Sequence, residues 1–221
     1  MEANSRRSLL AFPIAAIACI IGLIIKSKFG GDWYEFVGFV TGIVGVYLVA
    51  IEHIANWPIG LANVSVYGYV FFDSRLYADM SLQVFFFALG VMGWITWLKG
   101  GENRTELRIS CISRTHWLFV ALAWTIGTAI YYPIIRHYNG AAPFIDSSLT
   151  VASMLAQLLL NFKKLENWIL WITVDIVFIP LYFSRGLYST AILYSIFLLI
   201  AIHGLLSWRQ SFIGSQKECS A

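Results

Sequence analysis

Two tracts of this chain carry the same residues at a constant offset of 111, and both are apolar over lengths that cross a membrane. Asn56-Trp57 returns as Asn167-Trp168, Phe72 as Phe183, Leu76-Tyr77 as Leu187-Tyr188, Phe86 as Phe197, and Gly93 and Trp97 as Gly204 and Trp208. A fold for such a chain has to accept two equivalent helical units about one axis. Many secondary transporters place one substrate site between two duplicated apolar units in this way, so the repeat points to a carrier. The alternative is that duplication only built a stable bundle.

Hydrophobic residues make up 59% of the chain and charged ones 12%, about half the charged share of ordinary soluble domains. The apolar stretches run from end to end, and the longest polar interval reaches only from Lys99 to His116. No soluble catalytic domain fits in that interval. The expectation is an all-α integral membrane protein with eight transmembrane helices, near residues 9–25, 33–51, 54–73, 79–98, 116–135, 147–162, 167–184 and 187–208. The first stretch ends in Lys26-Ser27-Lys28 rather than a small-residue cleavage pattern, so it reads as a retained helix.

Alternating the loops between two sides places Arg6, Arg7, Lys99, Arg104, Arg108, Arg114, Lys163, Lys164, Arg209 and Lys217 on one face. The other receives Lys26, Lys28, Arg75, Arg136 and Arg185, and this bias predicts that both termini are cytoplasmic. The predicted organisation is an N-terminal helix within 1–32, a first three-helix unit over 33–98, a loop and linker helix over 99–146, a second unit over 147–209 and a tail over 210–221. Three helices plus one linker make four crossings, so both units enter the membrane in the same direction. This is a parallel 3+1+3 repeat plus an extra N-terminal helix, with its axis along the membrane normal.

Asp175 is the one carboxylate deep inside a predicted span. An unpaired acid there costs about 2.5–3.5 kcal/mol on insertion scales, so it calls for a partner or a wet cavity. Trp168 and Trp171 precede it by seven and four positions and share its helix face. An anion flanked by indoles suits a flat cation, at about 0.5–2 kcal/mol per cation–π contact; the alternative is a bonded carboxylate with two interface tryptophans.

Gln83, Asn63 and Gln157 are intramembrane amides able to read hydroxyls or an amide, or to bond a neighbouring helix. Asn167, Trp94 and Trp97 fall in the repeat motifs. Tyr182 and Tyr188, with Tyr67, Tyr69, Tyr77 and Tyr194, add hydroxyls on aromatic bodies. Gly38-x-x-x-Gly42 permits close helix approach, and Pro180 interrupts the seventh span.

Absences narrow the mechanism. There is no Gly-x-x-x-x-Gly-Lys loop for nucleotide hydrolysis, no chain of buried acids for protons and no catalytic or metal-ligating cluster among the dispersed histidines 53, 116, 137 and 203. The three cysteines have no paired spacing, and a net charge of +3 is too small and scattered for nucleic acid. Passive movement without a cofactor or metal is the simplest expectation.

The stretches Asn56-Trp-Pro-Ile-Gly-Leu-Ala-Asn63, Phe71-Phe-Asp-Ser-Arg-Leu-Tyr-Ala-Asp79, Gly93-Trp-Ile-Thr-Trp-Leu-Lys-Gly-Gly101 and Leu165-Glu-Asn-Trp-Ile-Leu-Trp-Ile-Thr-Val-Asp175, followed by Ile179-Pro-Leu-Tyr182, resemble the PnuC-type nicotinamide riboside transporters of bacteria. The similarity runs from about Gly38 to Gln210. It implies a vitamin carrier of SWEET-like architecture in the bacterial inner membrane, often a trimer. It also implies uptake of nicotinamide riboside by facilitated diffusion for NAD biosynthesis, with a cytoplasmic kinase trapping the product. The cationic ring, carboxamide and ribose of that substrate match an acid, aromatic faces and amides. Relatives of this fold are thought to carry thiamine or riboflavin, which stay open as substrates, and a membrane enzyme or structural subunit is the remaining alternative.

Overall fold

The computed structural model describes residues 11–30, 32–73, 77–137 and 142–218. Arg6, Arg7, Arg75, Leu76 and Cys219 lie outside the described residues, as do the side chains of Tyr77 and Lys217. Eight α-helices follow in order among the described residues: α1 (Ala11–Phe29), α2 (Trp33–Ala50), α3 (Asn56–Asp73), α4 (Tyr77–Lys99), α5 (Arg114–His137), α6 (Pro143–Asn161), α7 (Asn167–Ser184) and α8 (Tyr188–Glu218). A short 3-10 turn, Glu102–Arg104, stands between α4 and α5. Among the described residues six helical segments are long and apolar enough to cross a membrane; α1 and α3 are outside that set. In α3, Asn56, Asn63, Ser65 and Asp73 dilute the apolar character. The last helix runs to Glu218, well beyond the predicted end of its span at 208.

Six helices close a ring. α2 packs on α3, α3 on α4, α4 on α6, α6 on α7, α7 on α8, and α8 returns to α2. α1 and α5 stand outside it. α1 places Ala18 and Ile25 against Phe39 and Ile43 of α2, with Ile192 and Phe197 of α8 beside them. α5 places Trp124 against Leu149 and Ala152 of α6 and Val174 of α7. The outward side of α5 carries Leu118, Leu122, Ile126 and Ile130, all exposed at four-residue spacing. Such a stripe on one helix face suits hydrocarbon rather than water.

The offset of 111 reappears in the contacts. α2 and α6 both end by turning into a left-handed residue, Glu52 at φ 59° and Lys163 at φ 46°. Each turn carries the same two backbone bonds, His53 N–H to Leu48 O and Glu52 N–H to Val49 O, then Lys164 N–H to Leu159 O and Lys163 N–H to Leu160 O. These are Schellman closures, usually made by glycine because a side chain in the left-handed region costs about 1 kcal/mol or more. The next helices open alike: Asn56 donates Nδ2–H to His53 O at 2.8 Å, and Asn167 donates to Lys164 O at 2.7 Å.

Four tryptophans fill the ring at this end. Trp57 meets Trp97 at 5.3 Å between ring centroids, Trp97 meets Trp208 at 6.0 Å, and Trp208 meets Trp168 at 5.5 Å. Trp97 of α4 donates its indole N–H to Leu160 O of the adjoining α6, and Trp208 of α8 donates to Val49 O of the adjoining α2. The loop before α5 closes over them, with Ile109 buried in the same cluster. Ser110 bonds the backbone on both sides of Lys164, donating to Lys163 O and accepting from Leu165 N–H. Small residues allow the close packing: Gly38 admits the Tyr67 hydroxyl and Gly42 the ring of Phe197.

Candidate functional site

A cavity of about 300 Å³ lies inside the ring, lined from all six of its helices. On α2 the lining face is Thr41, Gly42, Gly45, Val46 and Val49, residues three to four apart whose small size leaves the space open. α7 contributes Trp168, Trp171 and Asp175, and α8 contributes Tyr194, Phe197 and Ala201 at the same spacing.

Pairing the lining residues at the offset of 111 separates matched positions from unmatched ones. Trp57 with Trp168, Phe86 with Phe197, Val49 with Leu160 and Gly90 with Ala201 are matched in chemistry. Three pairs are not. Gly60 is the twin of Trp171, Val64 of Asp175, and Val46 of Gln157. At each of these the second copy holds the aromatic, acidic or amide group. At these three positions the otherwise matched wall is asymmetric.

Asp175 is 3% exposed. Among the described residues no hydrogen bond or ion pair reaches its carboxylate, although it lines open space beside Trp171 and Tyr194. Among the described residues no Lys, Arg or His lines the cavity. Among the described residues there is also no cluster of His, Cys, Asp or Glu able to hold a metal. Gln157 spends one N–H on Asn161 Oδ1 at 3.0 Å, and Asn161 in turn donates to Leu89 O of α4 at 2.8 Å. Asn63 donates to Thr41 Oγ1 at 2.7 Å and Gly38 O at 3.2 Å. Those two amides are held by α2 and α6 before any ligand arrives.

Of the residues singled out from the sequence, Asp175, Trp171, Trp168, Gln157 and Asn63 come together on the cavity. Trp97 is buried in the tryptophan cluster, and Trp94 packs against it. Asn167 is fully buried at the start of α7. Gln83 lies against Gly68 of α3. Tyr182 stacks on Phe178 at 5.1 Å and stands behind Tyr194 at 5.0 Å, one layer from the cavity. Tyr188 is half exposed beside Phe183. Sequence reasoning passed over Trp57, Asn56, Thr41, Phe86 and Phe197 as lining residues. The repeat held the signal for Trp57 and Phe86, whose twins sit at the same offset.

The sequence matches the nicotinamide mononucleotide transporter family over residues 32–210. The chain belongs to that family. It is a membrane transporter, not an enzyme. The nicotinamide riboside transporter PnuC of Escherichia coli K12 is 31% identical over 207 residues, covering 81% of this chain and 86% of that protein. PnuC of Neisseria mucosa is 32% identical over 189 residues, covering 80% and 72%. The riboflavin/roseoflavin transporter RibM of Streptomyces davaonensis is 23% identical, covering 80% of this chain and 84% of its own length. A crystal structure of the vitamin B3 transporter PnuC superposes with a TM-score of 0.73 at 26% identity, over 95% of this chain and 97% of that one.

Proposed function

We propose that this family member takes up nicotinamide riboside by facilitated diffusion across a bacterial inner membrane. The observation that carries the reading is Asp175, a buried carboxylate without a protein counter-charge that faces a cavity walled by tryptophans. A pyridinium would supply the missing charge, and Trp171 offers it a ring face. The carboxamide and ribose need polar partners, for which Gln157 and Asn63 are placed. We assign Asn167, Gln83, Trp94, Trp97, Tyr182 and Tyr188 to the frame around this site.

The lining favours the riboside over its mononucleotide, although the family is named for the latter. A phosphate would meet Asp175 in a site with no basic side chain, and like charges in a low dielectric repel strongly. A volume near 300 Å³ stands at the lower end of the range for ligand sites, about 300–1,000 Å³. That suits one ring and a sugar better than the three fused rings and ribityl chain of riboflavin.

Thermodynamically, entry of a cation gains about 2.3 kcal/mol per 100 mV of inside-negative potential, and phosphorylation by a cytoplasmic kinase would hold the product inside. The twin turns and twin tryptophan bonds support a parallel 3+1+3 relation about an axis through the cavity, with both termini cytoplasmic by the distribution of basic residues. On that orientation the tryptophan cluster closes the cytoplasmic end. The lipid-facing stripe on α5 is compatible with an oligomer, for which the resemblance suggests a trimer.

Calorimetry on the purified protein with nicotinamide riboside, thiamine and riboflavin tests the substrate. Flux of labelled riboside into liposomes without any partner protein tests the mode. Binding of riboflavin alone would overturn the electrostatic reading, and binding without flux would overturn the carrier reading.

A further inference from the structure

The four tryptophans at the cavity floor are alike in burial and unlike in bonding. Trp97 and Trp208 give their indole N–H groups to carbonyls of the opposite half. Trp57 and Trp168, 4% and 1% exposed, find no acceptor for theirs among the described residues. Both line the cavity, and they are twins at the offset of 111. A buried donor without an acceptor costs about 1–3 kcal/mol, and here it is incurred twice, symmetrically, at one place.

The rings are also held in place. The benzene edge of Trp57 lies where a Cβ on Gly93 would be, and that of Trp168 where a Cβ on Gly204 would be. Each indole is thus seated by a glycine of the last helix in its own half, while its partner in the cluster meets it edge-on at 5.3 or 5.5 Å.

We propose that Trp57 and Trp168 form a paired donor site that reads the sugar oxygens of the substrate. The inference rests on the riboside reading above and extends it to orientation. Two N–H donors repel a cation and suit an acceptor. The charged ring therefore belongs near Asp175, which stands seven residues along α7 from Trp168, about 10 Å at 1.5 Å per residue. The ribose then points down to the tryptophan floor, where its hydroxyl oxygens accept both bonds. Trp168 acts through its N–H edge, and Trp57 makes the first half of the protein a contributor to specificity.

The test compares two ligands on the full-length protein by calorimetry: nicotinamide riboside, and 1-methylnicotinamide, a pyridinium that keeps the charge, ring and carboxamide and lacks the sugar. W57F and W168F should each weaken riboside binding about three- to tenfold, the loss of one hydrogen bond, and leave 1-methylnicotinamide binding unchanged. D175N should weaken both ligands. Where a phenylalanine variant fails to fold, benzothienylalanine at the same position removes the N–H and keeps the bicyclic ring. An unchanged preference for the riboside, or equal loss of both ligands, in the tryptophan variants overturns the donor site and leaves the riboside reading standing. Failure of the unaltered protein to bind the riboside overturns that reading itself.

Discussion

Glu52 and Lys163 occupy twin positions 111 residues apart, and their side chains meet across the ring at 3.1 Å. Both follow the last turn of their helices in the left-handed region, where neither residue type is at ease. Lys163 is 7% exposed, and its Nζ also lies 4.5 Å above the Trp97 ring. The pair ties the two halves together beneath the tryptophan cluster.

Removing one partner leaves a poorly hydrated charge. A fully buried pair broken in this way costs about 3–5 kcal/mol; with the Glu52 side chain a quarter exposed, E52Q should cost about 1–3 kcal/mol. Because the two sites are equivalent, the double exchange E52K/K163E should restore most of the loss, and E52K alone should be the worst. Thermal unfolding of the three variants in one detergent checks the order.

Asp175→Asn should reduce uptake of the cationic riboside at least about tenfold, which corresponds to about 1.4 kcal/mol of lost attraction. Its melting temperature should hold or rise, because an amide is cheaper to bury than an unpaired carboxylate. Unchanged uptake with a lower melting temperature would mark Asp175 as a packing residue.

Gly60 is the twin of Trp171, and nothing lies within 4 Å of a Cβ built on it. G60W therefore has open space at its Cβ and adds a further indole to the cavity wall. The variant should insert and fold, yet bind no riboside, because the space of about 300 Å³ is occupied. Retained binding in calorimetry would relocate the site.

G93A and G204A should behave alike. In each, the added methyl collides with a tryptophan ring, Trp57 in one case and Trp168 in the other. Overpacking of this kind typically costs about 1–3 kcal/mol, and the displaced indole should shift tryptophan emission. If only one variant is affected, the two floors are not equivalent.

The repeat was readable because identical residues at a fixed offset need no structure to be seen. It located the twin tryptophans and phenylalanines in advance. Asp175 was readable for a related reason, since an acid within a span stands out against lipid whatever its neighbours. The roles of the aromatics were not readable. Trp97 and Trp168 are both buried, yet one fills the core with its N–H bonded to Leu160, and the other lines the cavity while its buried N–H meets no described protein acceptor. Gln83 and Gln157 differ likewise: both are amides in apolar helices, but only the second lines the ring interior.

Sequence alone determined the membrane class, the helical character, the recurrence at an offset of 111 and the presence of one acid deep within an apolar helix, because each follows from local composition and spacing. Tertiary structure decided which face of each helix looks inward, which donors are satisfied and which twins meet. Those depend on closure of the ring through α2 with α8 and α4 with α6, contacts between segments far apart in the chain, where no local pattern specifies the rotation of one helix against another.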